Sequence, residues 1–408
     1  MRAVAVCLAL GTPLWPAATG AAELTLDAAL VRARTANPSL AAAAAELEAA
    51  RGRRIQAGLL PANPVLSGDM ARHTEPGAAQ IDRGVALAQE IEVGGQRGLR
   101  VAGADHDVAR ADLLLADRRR LVDAEVRRAL ADVVASMRRR RLAEASVAIA
   151  ARIVETTGRR ARAGDVAALD VRLAGIERAR ADQALDVATA EQAAATTRLA
   201  AVLNVSPDED LGVVDEPYEP ALLAPEVELV ARALAARPDL AAAREEVARL
   251  DAEAQLARRR GLVPNPVVRG FYRQELFDER IAGGEVSVPL PIWNREQGTQ
   301  AALLAGASAA TAEVDRLTRA IPRDVRLAVA QHRLATAAWR RARTDTLPGV
   351  VAARELLERG DVAGYIGVPE QLVQQDRLIQ AEAASIDAWR ALRVADADVI
   401  EAVGGALP

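Results

Sequence analysis

The sequence predicts a mainly α-helical protein with a small β part, built from long coiled-coil hairpins written twice. Three observations predict it. Hydrophobic residues make up 51% of the chain but aromatics only 2%, so the apolar share is largely Ala, Val and Leu, which suit helices better than several globular cores. From Gly98 to Ala163 there is no proline. And LLPANPVLSG (59–68) returns as GLVPNPVVRG (261–270), the mark of a duplicated unit.

The first 22 residues carry Arg2, an apolar run from Ala3 to Leu10 and small residues before Glu23, the layout of an export signal. Gly11, Pro13 and Pro16 interrupt it well short of the ~20 apolar residues of a membrane span. Cys7, the one cysteine, falls inside this signal, so the exported chain is expected to hold no disulfide or thiolate ligand. A net charge of -4 spread over mixed-sign segments gives no basic stripe for nucleic acid.

The duplication extends outward from the opening segment. ANPSLAAAAAELEAA (36–50) matches ARPDLAAAREEVARL (236–250), and RAGDVAALDV (162–171) matches ERGDVAGYIGV (358–368). The chain therefore divides into a signal (1–22), a first repeat (23–204), a linker (205–235) and a second repeat (236–408). The DEPYEPALLAP stretch of the linker reads as a loop.

Each repeat opens with a short helix started by Asn-Pro or Arg-Pro and stopped by Pro61 and Pro64, or by Pro264 and Pro266, because proline lacks the amide donor. A β-hairpin follows, over 64–92 in one copy and 266–291 in the other. Its strands are VLSGDMAR and GVALAQEIE, then VVRGFYRQ and GEVSVPLP, whose alternation is clearest at Val286, Val288 and Leu290. The next segment is a rod. Val126, Leu130, Val133 and Met137 recur at alternating four- and three-residue steps, a narrow stripe for packing on other helices. Sixty-six residues at ~1.5 Å each make it about 100 Å long. The rods turn near Gly164 and Gly360, where glycine permits backbone angles that other residues resist. Pro322 and Pro348 should kink or interrupt the second outgoing helix.

Strands of about 8 to 10 residues suit a tilted crossing of a bilayer. Four cannot close a barrel alone, and the smallest membrane barrels have eight, so several chains must share one. Phe271, Tyr272, Phe277 and Trp293 crowd around the second hairpin, either as an interfacial girdle or as filling for a small soluble β core.

The duplicated plan, the Asn-Pro strand starts and the RAGDVAALD and RGDVAGYIGV turns resemble the TolC family of outer-membrane efflux proteins. The resemblance covers nearly all of the chain after the signal. QEIEVGGQRGLR (89–100) looks most like members from cobalt-zinc-cadmium exporters. The resemblance implies a homotrimer, with a twelve-stranded outer-membrane β-barrel continued by a periplasmic α-barrel. It implies a passive exit duct, served by a periplasmic adaptor and an inner-membrane pump of the resistance-nodulation-division type. It also places the adaptor at the two turns: Gly164, Asp165, Val166, Leu169, Gly360, Asp361, Val362 and Ile366. The bare alternative is that these residues only turn the chain. Acidic gate positions of drug-exporting relatives fall here on Ile366 and Pro369, with Glu370 beside them. Asp170 could form a three-fold acidic ring or simply lie on a solvated helix face.

No cofactor, catalytic set or metal site is expected. His73, His106 and His332 are the only histidines and have no paired spacing, whereas a transition-metal site needs several converging ligands. Two alternatives stand beside metal efflux: the same channel serving drug or protein export, and a soluble periplasmic coiled-coil adaptor. An enzyme is the third class.

Overall fold

The computed structural model describes residues 23–75, 78–275, 279–362 and 366–405. The expected signal, Phe277 and part of the second turn lie outside these residues. Helix α1 (Leu26–Ala36) and helix α2 (Pro38–Ala57) precede strands β1 (Val65–Glu75) and β2 (Ala78–Glu90). Helices α3 (Gln96–Ala163) and α4 (Ala168–Leu203) complete the first copy. The second copy repeats the order with α5 (Glu226–Ala236), α6 (Pro238–Leu262), β3 (Val267–Glu275), β4 (Glu279–Ser287) and α7 (Gln297–Arg341). A π-helical turn (Ala342–Thr346) then leads into α8 (Leu347–Val362) and α9 (Val368–Val403).

Local chemistry sets these boundaries. Asn37 ends α1 and starts α2: its Oδ1 accepts from the Ser39 amide at 2.9 Å, while its Nδ2 donates to the Val202 carbonyl at 2.9 Å. Pro38 occupies the first turn, where its missing amide costs nothing. The 205–235 stretch is coil through Pro225 and helix from Glu226, so its last part is an element of the second copy rather than linker.

The 68-residue α3 runs unbroken, as its freedom from proline predicts. Its apolar stripe does more than seam two rods. Val126, Leu130 and Val133 sit in a small core with Leu30, Leu40, Leu199 and Leu203, under α1, α2 and the end of α4. A matching core joins Leu229 and Leu240 to Ile321, Val325, Val329 and Val399. The molecule thus has a thickened girdle midway along its rods, one core per copy.

The two prolines of the second rod differ in effect. Helix α7 continues through Pro322, whose neighbours Ile321 and Val325 are fully buried; their packing offsets the ~3 kcal/mol cost of an interior proline. Pro348 instead follows the π-helical turn, which widens the helix where the ring would meet the carbonyl four residues back.

All four strands form one antiparallel sheet in the order β1-β2-β3-β4. Strands β1 and β2 exceed the expected length, and β4 stops at Ser287, short of the expected 291. Pro289 and Pro291 lack the amides that would extend its pairing to β3. Strands β1 and β4 are left as open edges.

Candidate functional site

Three regions bear on function: the far tips of the rods, the girdle and the sheet. At the first tip Gly164 has φ +84°, and the amides of Gly164 and Asp165 donate to the carbonyls of Ala161 and Arg160 at 3.1 and 2.9 Å. This left-handed cap suits glycine. A Cβ there would meet nothing within 4 Å, so the backbone angle, not space, is the constraint. Asp165 and Leu169 are exposed, whereas Val166 packs inward with Ile149, Ile153, Ala174, Val368 and Leu372. That cluster holds the first tip against the start of α9, a pairing no local pattern announces.

Gly360 does not match Gly164. It lies inside α8 without a positive φ, correcting the expectation that it makes the turn. Its smallness is used differently: a Cβ would stand 2.5 Å from the Cδ1 of Ile366. Asp361 and Val362 form the last residues of α8, and their side chains lie outside the described residues.

Asp170 and Glu370 occupy equivalent places, each three residues past the cap of its returning helix. The Asp170 carboxylate accepts from the Ala167 amide at 3.1 Å. An acid in a first turn also complements the helix dipole, which gives Asp170 a structural task of its own.

In the girdle, the coil before α5 is tied to both copies. Arg138 of α3 makes a two-pronged bond to Asp215 at 2.6 and 2.8 Å and lies 4.0 Å over the ring of Trp389 on α9. Tyr218 donates to Asp396 of α9, whose other oxygen is 3.0 Å from His332 Nε2 on α7. Burial and this bond to Asp396 raise the Tyr218 pKa, and Arg393 lies 4.0 Å over its ring. His332 is thus a core residue. His106 pairs with Glu245 at 2.7 Å. Among the described residues no group of three or more His, Cys, Asp or Glu is placed to hold a metal.

The sheet has two unlike faces. Register places Leu66 beside Leu87 and Gly270, Gly68 beside Val85 and Tyr272, and Val268 beside Val286. This face is apolar, and Leu66 and Met70 on it are 72% and 75% exposed. Toward the hairpin tips it carries Arg72, Arg83 and Arg280. The opposite face carries Ser67, Asp69, Asp82, Arg269, Arg273, Glu279 and Glu285, with Arg269 3.3 Å from Glu285. Neighbouring Phe271 and Tyr272 therefore part company. Tyr272 stands on the apolar face, while Phe271 lies on the charged face over Gly283, where a Cβ would clash with its ring. Trp293 is 85% exposed in the link from β4 to α7. No helix among the described residues is long and apolar enough to cross a membrane.

Comparison with known proteins places this architecture. The profile of the outer membrane efflux protein family matches residues 29–205. The cobalt-zinc-cadmium resistance protein CzcC of Cupriavidus metallidurans is 31% identical over 376 residues, covering 90% of this chain and 87% of that one. The outer-membrane channel OprN superposes with a TM-score of 0.78 at 20% identity, over 93% of this chain and 90% of its own. The outer membrane protein VceC of Vibrio cholerae does so with 0.74 at 19%, over 93% and 96%. Both superpositions take in nearly the whole of this chain. With identity to CzcC sustained along nearly the whole chain, the alternative of a soluble adaptor falls: this is an outer-membrane efflux channel with a long periplasmic helical portion, and the chain belongs to the outer membrane efflux protein family.

Proposed function

We propose that the protein is the trimeric exit duct of a tripartite exporter, passing heavy-metal cations from the periplasm to the exterior. The observation that carries the duct is the sheet: one apolar face, one charged face and two open edges on a single four-stranded piece. Open edges are intolerable in lipid, where no water satisfies the backbone. Three copies give twelve strands, with Leu66, Met70, Val85 and Tyr272 toward lipid and Asp69, Arg269 and Glu285 toward the lumen. Trp293 then lies at the periplasmic interface, and Arg72, Arg83 and Arg280 reach the outer headgroups. Exposed Leu327 and Leu334 on α7, two helical turns apart, mark flanks of the rods that a neighbouring copy covers.

The cargo rests on the likeness to CzcC. The chain needs no tight metal site for this role, because a duct that bound its cargo firmly would hold it. Acidic residues outnumber arginines on the charged face, which favours cation passage. The tips carrying Gly164, Asp165, Val166, Leu169, Gly360, Asp361, Val362 and Ile366 dock the periplasmic adaptor, and through it a pump of the resistance-nodulation-division type supplies the energy.

The test is growth of a deletion strain and its complemented control across graded cobalt, zinc, cadmium, copper and silver, beside dyes, detergents and antibiotics. Sensitivity confined to metals and rescued by the gene is the expected result. Sensitivity confined to organic compounds would reassign the cargo and leave the duct.

A further inference from the structure

The two sheet-to-rod junctions have the same local geometry but unequal surroundings. Gly95 and Glu296, each just before its rod, are both left-handed, with φ +73° and +58°. In the first, Gln96 Oε1 accepts from the Gly94 amide at 2.8 Å; in the second, Gln297 Oε1 accepts from the Arg295 amide at 2.7 Å. Gln96 is nonetheless 1% exposed, and its Nε2 donates to the Val263 carbonyl at 2.8 Å and to Asn265 Oδ1 at 3.0 Å. Those partners belong to the second copy. Gln297 is exposed, because nothing in the same chain lies beyond β4, and its Nε2 donates to the Trp293 carbonyl of its own link at 3.0 Å, leaving its second N–H for a partner. The first-copy residues matching Val263 and Asn265 are Pro61 and Asn63, exposed beside β1 on the other edge.

We infer that the β2–β3 seam inside the chain is the template for the β4–β1 seam between chains, and that it fixes the register of that seam. This rests on the trimeric duct proposed above. Within the chain, Leu87 faces Gly270 and Ala88 faces Arg269. Val65 pairs with Ala88 as Val267 pairs with Ser287, and Asn63 matches Asn265. Carrying the inner register through these equivalences sets Ser287 against Ser67 of the next copy, Val286 against Gly68 and Val288 against Leu66. Gln297 then reaches the Pro61 carbonyl and Asn63 of that copy.

Three independent features agree with this register. First, face is conserved: Val286 and Gly68 are both on the apolar face, Ser287 and Ser67 both on the charged one. A slip by one residue would put apolar side chains into the lumen. Second, the prolines fit. The Ile91 amide donates to the Pro266 carbonyl at 2.9 Å, so the amides of Ile91 and Gln89 point into the inner seam and that of Glu90 points away. Their counterparts are Leu290, Val288 and Pro289. Strand β4 therefore keeps an amide wherever the outer seam needs one and lacks one where it does not, which also explains the end of β3–β4 pairing at Ser287. Third, of the two like-charge oppositions it creates, Glu279 against Glu75 falls at the outer strand ends, where Glu275 already opposes Glu279 inside the chain, and Glu285 against Asp69 is relieved from within each chain. Glu285 is drawn to Arg269, and Asp69 leans over Gly84 toward β2.

The test is a double variant, Ser67→Cys with Ser287→Cys, in a chain whose one native cysteine is Cys7. Within one chain these positions are on opposite edges of four strands, about 14 Å apart at ~4.8 Å per strand, beyond disulfide reach. Any bond between them joins two chains. The pair is of the non-hydrogen-bonded kind, with closer side chains. Mild oxidation in membranes should give a covalent ladder ending at the mass of three chains, while Ser67→Cys with Glu285→Cys, displaced by two residues, should give at least ten-fold less. A native mass of three chains with cross-linking only in the displaced pair, or in neither, overturns the register and keeps the trimer. Cross-linking of the expected pair at another native mass keeps the seam and overturns the trimer. A monomer without cross-links overturns both.

Discussion

Gly164 and Gly360 occupy matched places in the sequence, yet the chain uses one for its backbone and the other for its lack of a side chain. Gly164→Val forces a β-branched residue into left-handed backbone, at a cost of ~1–2 kcal/mol. It is expected to abolish export in the growth assay while the native mass of the purified protein stays unchanged; normal export would sink the docking role of this tip. Asp170 caps its helix, so Asp170→Asn should leave the cation-to-anion permeability ratio in planar bilayers unaltered. A ratio shifted toward anions would instead assign it to a selective ring. In the girdle, burial opposes ionisation of Asp239, but the Arg237 guanidinium bonded to it at 2.5 Å more than offsets this and holds the carboxyl below its usual range. A carboxyl lowered in the folded state contributes stability above its unfolded pKa of ~3.9, and loses it as pH falls through the folded value. Thermal midpoints of Asp239→Asn and the parent should therefore differ at pH 7 and converge as the pH falls through the lowered folded-state value.

Among the elements, the sheet offers the sharpest contrast. Val85 and Ala71 lie on opposite faces of it. Val85→Arg places a charge at mid-height on the lipid side and is expected to cost ~2–4 kcal/mol and deplete folded protein from the outer membrane. Ala71→Arg on the lumenal face should leave the folded amount near parental. Equal depletion by both would reject the assignment of faces. The strand alternation and the proline-free rod were legible in the sequence because each is a local, periodic signal. The end of β4 was not, since its last apolar residues alternate as a strand does while lacking an inner partner. The passage of α7 through Pro322 was also hidden, because it depends on how Ile321 and Val325 pack against α5, α6 and α9.

For the whole molecule, duplication is the governing fact. Two copies meet at Trp389, Val134 and Ala135 and at the β2–β3 seam, and the surfaces that mediate this meeting recur, unmet, on the outer sides of the chain. A charge on one such flank, Leu334→Asp, should move the purified protein from three chains toward one by light scattering while helical content is preserved. The sequence by itself determined the duplication, the rods, the strand pairs and the need for several chains, because repeat spacing, proline placement and strand length are written locally. Only the tertiary structure decided that the Val126–Val133 stripe serves a girdle core, that Val166 faces inward, which faces Phe271 and Tyr272 take, and that Gln96 is buried where Gln297 is bare. Each depends on which distant segment packs against the residue: alternation alone separates Phe271 from Tyr272, but only the pairing of β3 with β4 sets Phe271 over Gly283 on the charged face.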